Sequence, residues 1–275
     1  FEYLGAYGRD EPFCVFAGFG GPHSPWDPPA SWAKKYAGTE PAAPLPVPES
    51  PGWLTPAARA YEGEINGKVQ TTPEQARTIQ QLYFAKISHI DAWFGKIFET
   101  LEQRGVLEDT LILFWSDHGE RPCDRGGLSK CVFYEESAGV PFILRTPDRT
   151  NAGQTADGLC GTADAFPTLL AAAGCEPAPS FGRSLLDAVQ EPGAAIHDAV
   201  LSEIEWGGRQ LTMIRDETHK MVVDGEANVL QLFDMEADPQ ERTNLAGRED
   251  TEAVEGRLRD HLLRLRLATD RTQKG

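Results

Sequence analysis

The sequence lacks an apolar run near the ~18–20 residues that a membrane-spanning helix needs. It has few basic residues, 26 against 42 acidic ones, and no two cysteines at CxxC spacing. The first absence excludes a helical membrane span. The second leaves a net charge of −16 and argues against a nucleic-acid partner, because phosphate-backbone binding needs a basic face. An anionic ligand must then be held locally, by a metal ion or by individual Lys, Arg or His side chains. The third excludes thiolate zinc sites. The five cysteines (Cys14, Cys123, Cys131, Cys160, Cys175) leave at least one thiol free and favour neither redox compartment. An initiator methionine is also absent. Phe1 opens the chain with no basic, apolar and small-residue leader pattern, so we expect a processed or partial chain and leave localisation and oligomeric state open.

The content that is present suits a globular α/β protein. Hydrophobic residues make up 40% and charged residues 25% of 275 positions, enough for one large domain with a smaller appendage. The run from Leu111 to Glu120, LILFWSDHGE, is the most informative. Apolar, β-prone residues end abruptly in Asp117, His118 and Gly119. This reads as a buried parallel strand that delivers two metal-competent side chains to its C-terminal tip, where open α/β sheets place their sites. Thr72-Pro73-Glu74 reads as a helix start, and Ile79, Leu82, Tyr83, Ile87, Ile90, Phe94, Ile97 and Leu101 recur at helical spacing until Gly105 closes the stripe.

Pro12 to Gly18 fits a further buried strand, and Val140 to Leu144 another. Residues 22–56 hold ten prolines, which predict a long surface loop framing one side of the site. A helix is expected from about Ala163 to Ala173. From about Ala199, four short strands separated by Gly, Asp and Asn turns predict a small antiparallel sheet, closed by a helix over about 251–267. We place the domains at 1–195 and 196–275.

Asp117 and His118 are the leading metal candidates. An oxygen-rich site favours calcium or magnesium, and the adjacent imidazole leaves manganese or zinc open; the plainer alternative is a strand-ending Asp that caps its turn. His23, after Gly20-Gly21-Pro22, is placed to donate to a bridging oxygen or protonate a leaving group, although a lone loop His is often only that. Lys130 lies between two strands where an ammonium would offset a tetrahedral anion, and as a single Lys it competes with the reading of a solvated surface charge. Arg121, Arg125 and Asp124 are weaker candidates. Tyr134-Glu135-Glu136, His89 and Asp91 read as structural.

Taken in order, PFCVFAGFGGPHSPWDPP, KISHIDAWFGKIFETLEQRGVLEDT, SDHGE, SKCVFYEESAGVPFILRTP, TADAFPTLLAAAGCEPAPSFGRSLL and LFDMEADPQERTNLAG resemble the C-terminal two-thirds of a type I sulfatase of the alkaline phosphatase superfamily. The resemblance implies an alkaline-phosphatase-like, mostly parallel sheet with helices on both faces, plus the small antiparallel sheet and helix. It implies that Asp117 is a metal-binding acid and His118 a ligand of the same ion, usually Ca2+, with Mg2+ or Mn2+ as substitutes. It makes His23 the histidine that contacts the sulfate ester and assists the leaving oxygen, and Lys130 the lysine that binds the sulfate.

Cys123-Asp124-Arg125 and Gly139 depart from the family pattern, where Gly-Asp-His and an Arg are common. The C/S-x-P-x-R motif that is oxidised to formylglycine, and an Asp-Asp pair, do not occur; Cys175-Glu176-Pro177 lacks the arginine. We therefore expect a sulfuric ester hydrolase whose formylglycine lies in an N-terminal segment not in this sequence. The isolated chain is expected to be inactive, and missing strands would leave an exposed apolar edge. The alternatives are a phosphodiester or phosphonate ester hydrolase of the same superfamily, or a non-catalytic, anion-binding paralogue.

Overall fold

Thr72 starts the longest helix with a reciprocal cap: its Oγ1 accepts from Gln75 N at 3.2 Å, and Gln75 Oε1 accepts from Thr72 N at 2.8 Å. Gly105, at φ +68°, ends it as the composition required. The structure, a computed structural model, describes residues 2–8, 11–206 and 208–272. In chain order the helices are α1 (Glu2–Ala6), α2 (Ala30–Tyr36), α3 (Pro56–Ile65), α4 (Pro73–Gln103), α5 (Glu135–Ala138), α6 (Ala165–Ala172), α7 (Leu186–Gln190) and α8 (Glu252–Thr272). The strands are β1 (Ile112–Trp115), β2 (Phe142–Arg145), β3 (Ala199–Trp206), β4 (Arg209–Asp216), β5 (His219–Asp224) and β6 (Val229–Asp234). Among the described residues no helix is long and apolar enough to cross a membrane.

β3 to β6 form an antiparallel meander in sequence order, as expected from their turn residues. Both of its faces are covered, so its strands carry continuous rather than alternating apolar sequence. Ile214, Met221 and Leu232 pack on one face with Leu54, Ala58 and Leu258 of α8; Met213, Val222 and Leu230 pack on the other with Tyr61 and Phe133. The core of this sheet thus recruits α3, which lies against β6.

Two strand expectations are corrected. The strand leading to Asp117 was expected to be buried and parallel; β1 is half-buried and pairs antiparallel with β2, with Leu113 opposite Leu144. The chain between them, residues 116–141, holds only a 3-10 turn (Asp124–Gly126) and the four-residue α5, with no helix long enough to pack across the sheet as the usual parallel crossover does. The stretch from Pro12 to Gly18, expected as a buried strand, has no ladder and is exposed, with Phe16 at 81%. Among the described residues it has no strand to pair with; its ring contacts are Phe13 with Tyr7 at 5.8 Å and Phe16 with Trp115 at 6.3 Å. The proline-rich segment is a long loop as expected, interrupted by α2.

Candidate active site

Asp117 lies two residues past the end of β1, after Ser116, and its side chain is 85% exposed. Its Oδ1 accepts from His118 N at 3.0 Å. The His118 ring is anchored from the other side: Nδ1 lies 2.8 Å from Gly119 O, so this nitrogen donates and Nε2 keeps its lone pair. That Nε2 is 3.7 Å from Asp117 Oδ2. An oxygen and a nitrogen lone pair therefore stand side by side at a strand tip. Ser116 Oγ donates to His118 O at 2.8 Å and tightens the turn.

Gly119 is required here for a reason that periodicity does not show. A Cβ at this position would lie 2.1 Å from Glu136 O, and Gly119 N donates to Ser137 O at 2.8 Å. Only a glycine lets the strand-tip turn press on the 136–139 backbone.

His23 and Lys130, 107 positions apart, meet: Lys130 Nζ contacts His23 Nε2. The His23 ring places Nδ1 2.6 Å from Ser24 O. Nδ1 thus donates to that carbonyl, and Nε2 is the acceptor of the lysine proton. Both side chains reach solvent. The loop that carries Lys130 is held in sparsely populated backbone: Cys123, Arg125, Ser129 and Cys131 all have positive φ, at +79°, +54°, +142° and +72°. Arg121 braces it by donating to Ser129 O at 3.1 Å and Ile65 O at 3.0 Å.

The weaker candidates turn out to be braces. Arg125 is 1% exposed; it donates to Glu241 O and Gln240 O, lies 3.0 Å from Glu136 and stacks over the Tyr134 ring at 3.9 Å. Asp124 Oδ1 accepts from Leu45 N at 2.7 Å, and burial pushes its carboxyl above the usual range. Tyr134, read as structural, is fully buried and donates to Glu62 at 3.0 Å.

No hydrogen bond or ion pair joins the Asp117–His118 pair to the His23–Lys130 pair among the described residues. Both are carried by segments that pack on α4: Phe94 meets Phe114 of β1 edge-on, ring centroids 5.0 Å apart, and Phe19 of the His23 loop at 4.9 Å. No cluster of three or more His, Cys, Asp or Glu side chains placed to hold a metal ion occurs among the described residues. Asp117 and His118 fit one edge of a cation site by donor type, fewer donors than the 6–8 oxygens calcium takes.

Sequence reasoning missed Lys86, which touches the His23 turn, and the buried charges Lys220, Glu241 and Glu62. The available signal for Lys86 was a lone cation on an otherwise apolar helix face.

The sulfatase family model matches residues 1–175, and the model for N-sulphoglucosamine sulphohydrolase, C-terminal, matches 124–268. An arylsulfatase of Clostridium perfringens is 30% identical over 255 residues, 90% of this chain and 52% of that protein. A choline-sulfatase of Rhizobium meliloti is 33% identical over 252 residues, 86% of this chain and 46% of the relative. The crystal structure of a phosphonate monoester hydrolase of Agrobacterium radiobacter superposes with a TM-score of 0.80 at 26% identity, over 97% of this chain and 58% of that one. The chain thus spans about half the length of the relatives it matches. The fold is the alkaline-phosphatase-like α/β fold expected from the sequence, with the small antiparallel sheet and helix at its C-terminal end.

Proposed function

The chain belongs to the sulfatase family, and from that premise we propose that it carries the anion-binding half of a sulfuric ester hydrolase acting on a small sulfate ester. The contact between Lys130 and His23 is the observation that carries this reading. Two solvent-reaching side chains distant in sequence are not held against one another without a cost in side-chain entropy; an anion bound by the Lys130 ammonium beside the imidazole offsets that cost.

The chemistry of these residues follows from their hydrogen bonds. Lys130 supplies a compact positive charge to an oxygen of the sulfate, and that charge counts for more as negative charge develops on the ester oxygen. His23 holds its Nδ1 proton on Ser24 O, so Nε2 is the atom that exchanges a proton with the leaving oxygen. With Nε2 protonated, the ring hands that proton to the departing alkoxide or phenoxide while Nδ1 keeps its own. Asp117 Oδ2 and His118 Nε2 would hold a divalent cation, calcium first, with magnesium or manganese as substitutes. Such a cation, once bound, supplies Lewis-acid polarisation of the sulfate.

No C/S-x-P-x-R motif stands in residues 1–275. We accordingly expect this stretch alone to bind sulfate without hydrolysing its esters; a formylglycine would have to come from elsewhere. Isothermal titration of the chain with inorganic sulfate is the test. Lys130→Ala should raise Kd about ten- to a hundredfold, the loss of one charge-assisted hydrogen bond. An unchanged Kd would remove Lys130 from the site. Sulfate release from a chromogenic aryl sulfate by residues 1–275, abolished by Asp117→Asn, would overturn the expected inactivity.

A phosphonate or phosphodiester ester hydrolase is the second reading, favoured by the superposition on a phosphonate monoester hydrolase. Stronger competition by methylphosphonate than by sulfate would select it. A non-catalytic anion-binding protein is the reading left if ligand binds and no longer version of the chain turns over either ester.

A further inference from the structure

One face of α4 forms the seat for the turn that carries His23. Phe94 packs on Phe19 with ring centroids 4.9 Å apart, and Tyr83 meets Trp26 edge-on. Ile90 lies so close under Gly21 that a Cβ there would be 2.9 Å from its Cδ1 and 3.5 Å from Lys86 Cε. Tyr83, Lys86, Ile90 and Phe94 are at helical spacing, so they share one face.

Lys86 is the polar member of that face, and its side chain is only 19% exposed. Its ammonium has three protons and three acceptors, all on the one turn: His23 O at 2.8 Å, Pro25 O at 2.7 Å and Asp27 Oδ1 at 3.1 Å. The turn has little else to hold it. Pro22 and Pro25 have no N–H to donate, and the backbone bond within it is Asp27 N to Pro25 O at 3.1 Å. The carbonyl between the two that Lys86 engages belongs to Ser24. That carbonyl is the one left to accept from His23 Nδ1.

We infer that Lys86 is a positioning residue for His23, holding the carbonyls of residues 23 and 25 so that Ser24 O fixes the imidazole with Nε2 facing Lys130. The chain of cause is short. Drawing His23 O and Pro25 O onto one ammonium sets the planes of the flanking peptides, which sets the direction of Ser24 O. That direction sets which ring nitrogen keeps its proton. The interaction is charge-assisted, with the Lys86 stem packed on the helix face and its acceptors on the exposed turn, so each bond is stronger than a neutral turn bond. Asp27 adds a counter-charge; the hydrogen bond from Lys86 holds its carboxyl below the usual range. Lys86 touches neither Lys130 nor the ring of His23, and it acts through the backbone.

This inference rests on His23 as the group that meets the ester oxygen, and its test separates the two. Long-range 1H–15N NMR of the histidine rings, on residues 1–275 without sulfate, reports the His23 tautomer directly. The wild-type chain should show the Nδ1–H form. Lys86→Met keeps the stem that packs on Gly21 and removes the three donated bonds; it should give a mixture of tautomers, shift the amide resonances of residues 21–27, and raise the sulfate Kd about tenfold. Lys86→Arg, which keeps the charge and several donors, should restore the Nδ1–H form. If Lys86→Met does not fold, the same spectra are taken on Lys86→Gln. A folded Lys86→Met or Lys86→Gln variant with the wild-type tautomer and unchanged turn resonances overturns the inference. Absence of sulfate binding by the wild-type chain overturns the reading of the anion site instead, and the tautomer, measured without sulfate, still decides the role of Lys86.

Discussion

Replacing Lys220 by methionine should destabilise the protein by about 3–5 kcal/mol, the cost of leaving a buried ion pair with one partner. Lys220 lies in β5 with no exposed surface and donates to Phe133 O at 2.9 Å, to Glu135 and to Glu241 Oε1 at 2.7 Å. The two carboxylates do not suffer equally when it is removed. Glu135 keeps Arg215 at 2.8 Å and reaches solvent. Glu241 has no exposed surface; it retains the Glu135 N–H at 2.7 Å and Arg125 at 3.9 Å.

Burial raises the Glu241 carboxyl above its ordinary range even with Lys220 opposing it. For Glu135 burial also pushes upward, but Lys220 and Arg215 outweigh it and hold the carboxyl low. Without Lys220, Glu241 rises further. A carboxyl raised in the folded state binds a proton that the unfolded chain has released, so stability falls as pH climbs from the ordinary Glu range through the raised value. The deficit of Lys220→Met should therefore be larger at pH 8 than at pH 5. Adding Glu241→Gln should recover at least ~1 kcal/mol, because it removes the stranded charge. Denaturant unfolding followed by circular dichroism at both pH values measures all three quantities. A deficit below ~1 kcal/mol, or one equal at both pH values and unrelieved by Glu241→Gln, refutes the reasoning.

Glu62 accepts four hydrogen bonds, from Gln231 and Asn244 on Oε1 and from Asn66 and Tyr134 on Oε2. Glu62→Gln turns one acceptor into a donor facing donors and should cost about 1–3 kcal/mol, read as a lower unfolding midpoint. Asp164 accepts from Gly161 N, Arg183 N and His197 Nε2; burial pushes its carboxyl up, but these bonds outweigh it and hold it low. A lowered carboxyl stabilises the fold above the ordinary Asp range, and that contribution is lost as pH falls through its depressed value. Asp164→Asn should thus flatten the acid limb of the stability curve below about pH 4, and an unchanged acid limb would remove Asp164 from that role.

Local signals carried a large part of the fold. Thr72, Pro73 and Gly105 bounded α4 because caps are short-range chemistry, visible within four residues. The four C-terminal strands were legible because Gly, Asp and Asn turns separate them at even intervals. The direction of β1 was not legible. An apolar run states how buried a strand wants to be and says nothing about which neighbour it meets. Pro12 to Gly18 shows the same limit: its composition suits a strand, yet a strand exists only where a partner supplies the ladder.

The candidate site divides along the same line. Asp117, His118, His23 and Lys130 were named from the sequence, because metal-competent and cationic residues after apolar runs and glycines are a local pattern. Their partners came only from the tertiary structure. Hydrogen bonds from Lys86 to a turn some 60 positions away, the meeting of Lys130 with His23, and the burial of Lys220 between Glu135 and Glu241 all join residues distant along the chain. The sequence by itself determined the family, the limits of α4 and the residue types at the site, while α2, α3 and α7 were not read from it. Tertiary structure decided which lone pairs face outward and which charges are spent as internal braces, because hydrogen-bond direction and desolvation depend on what the folded chain brings alongside.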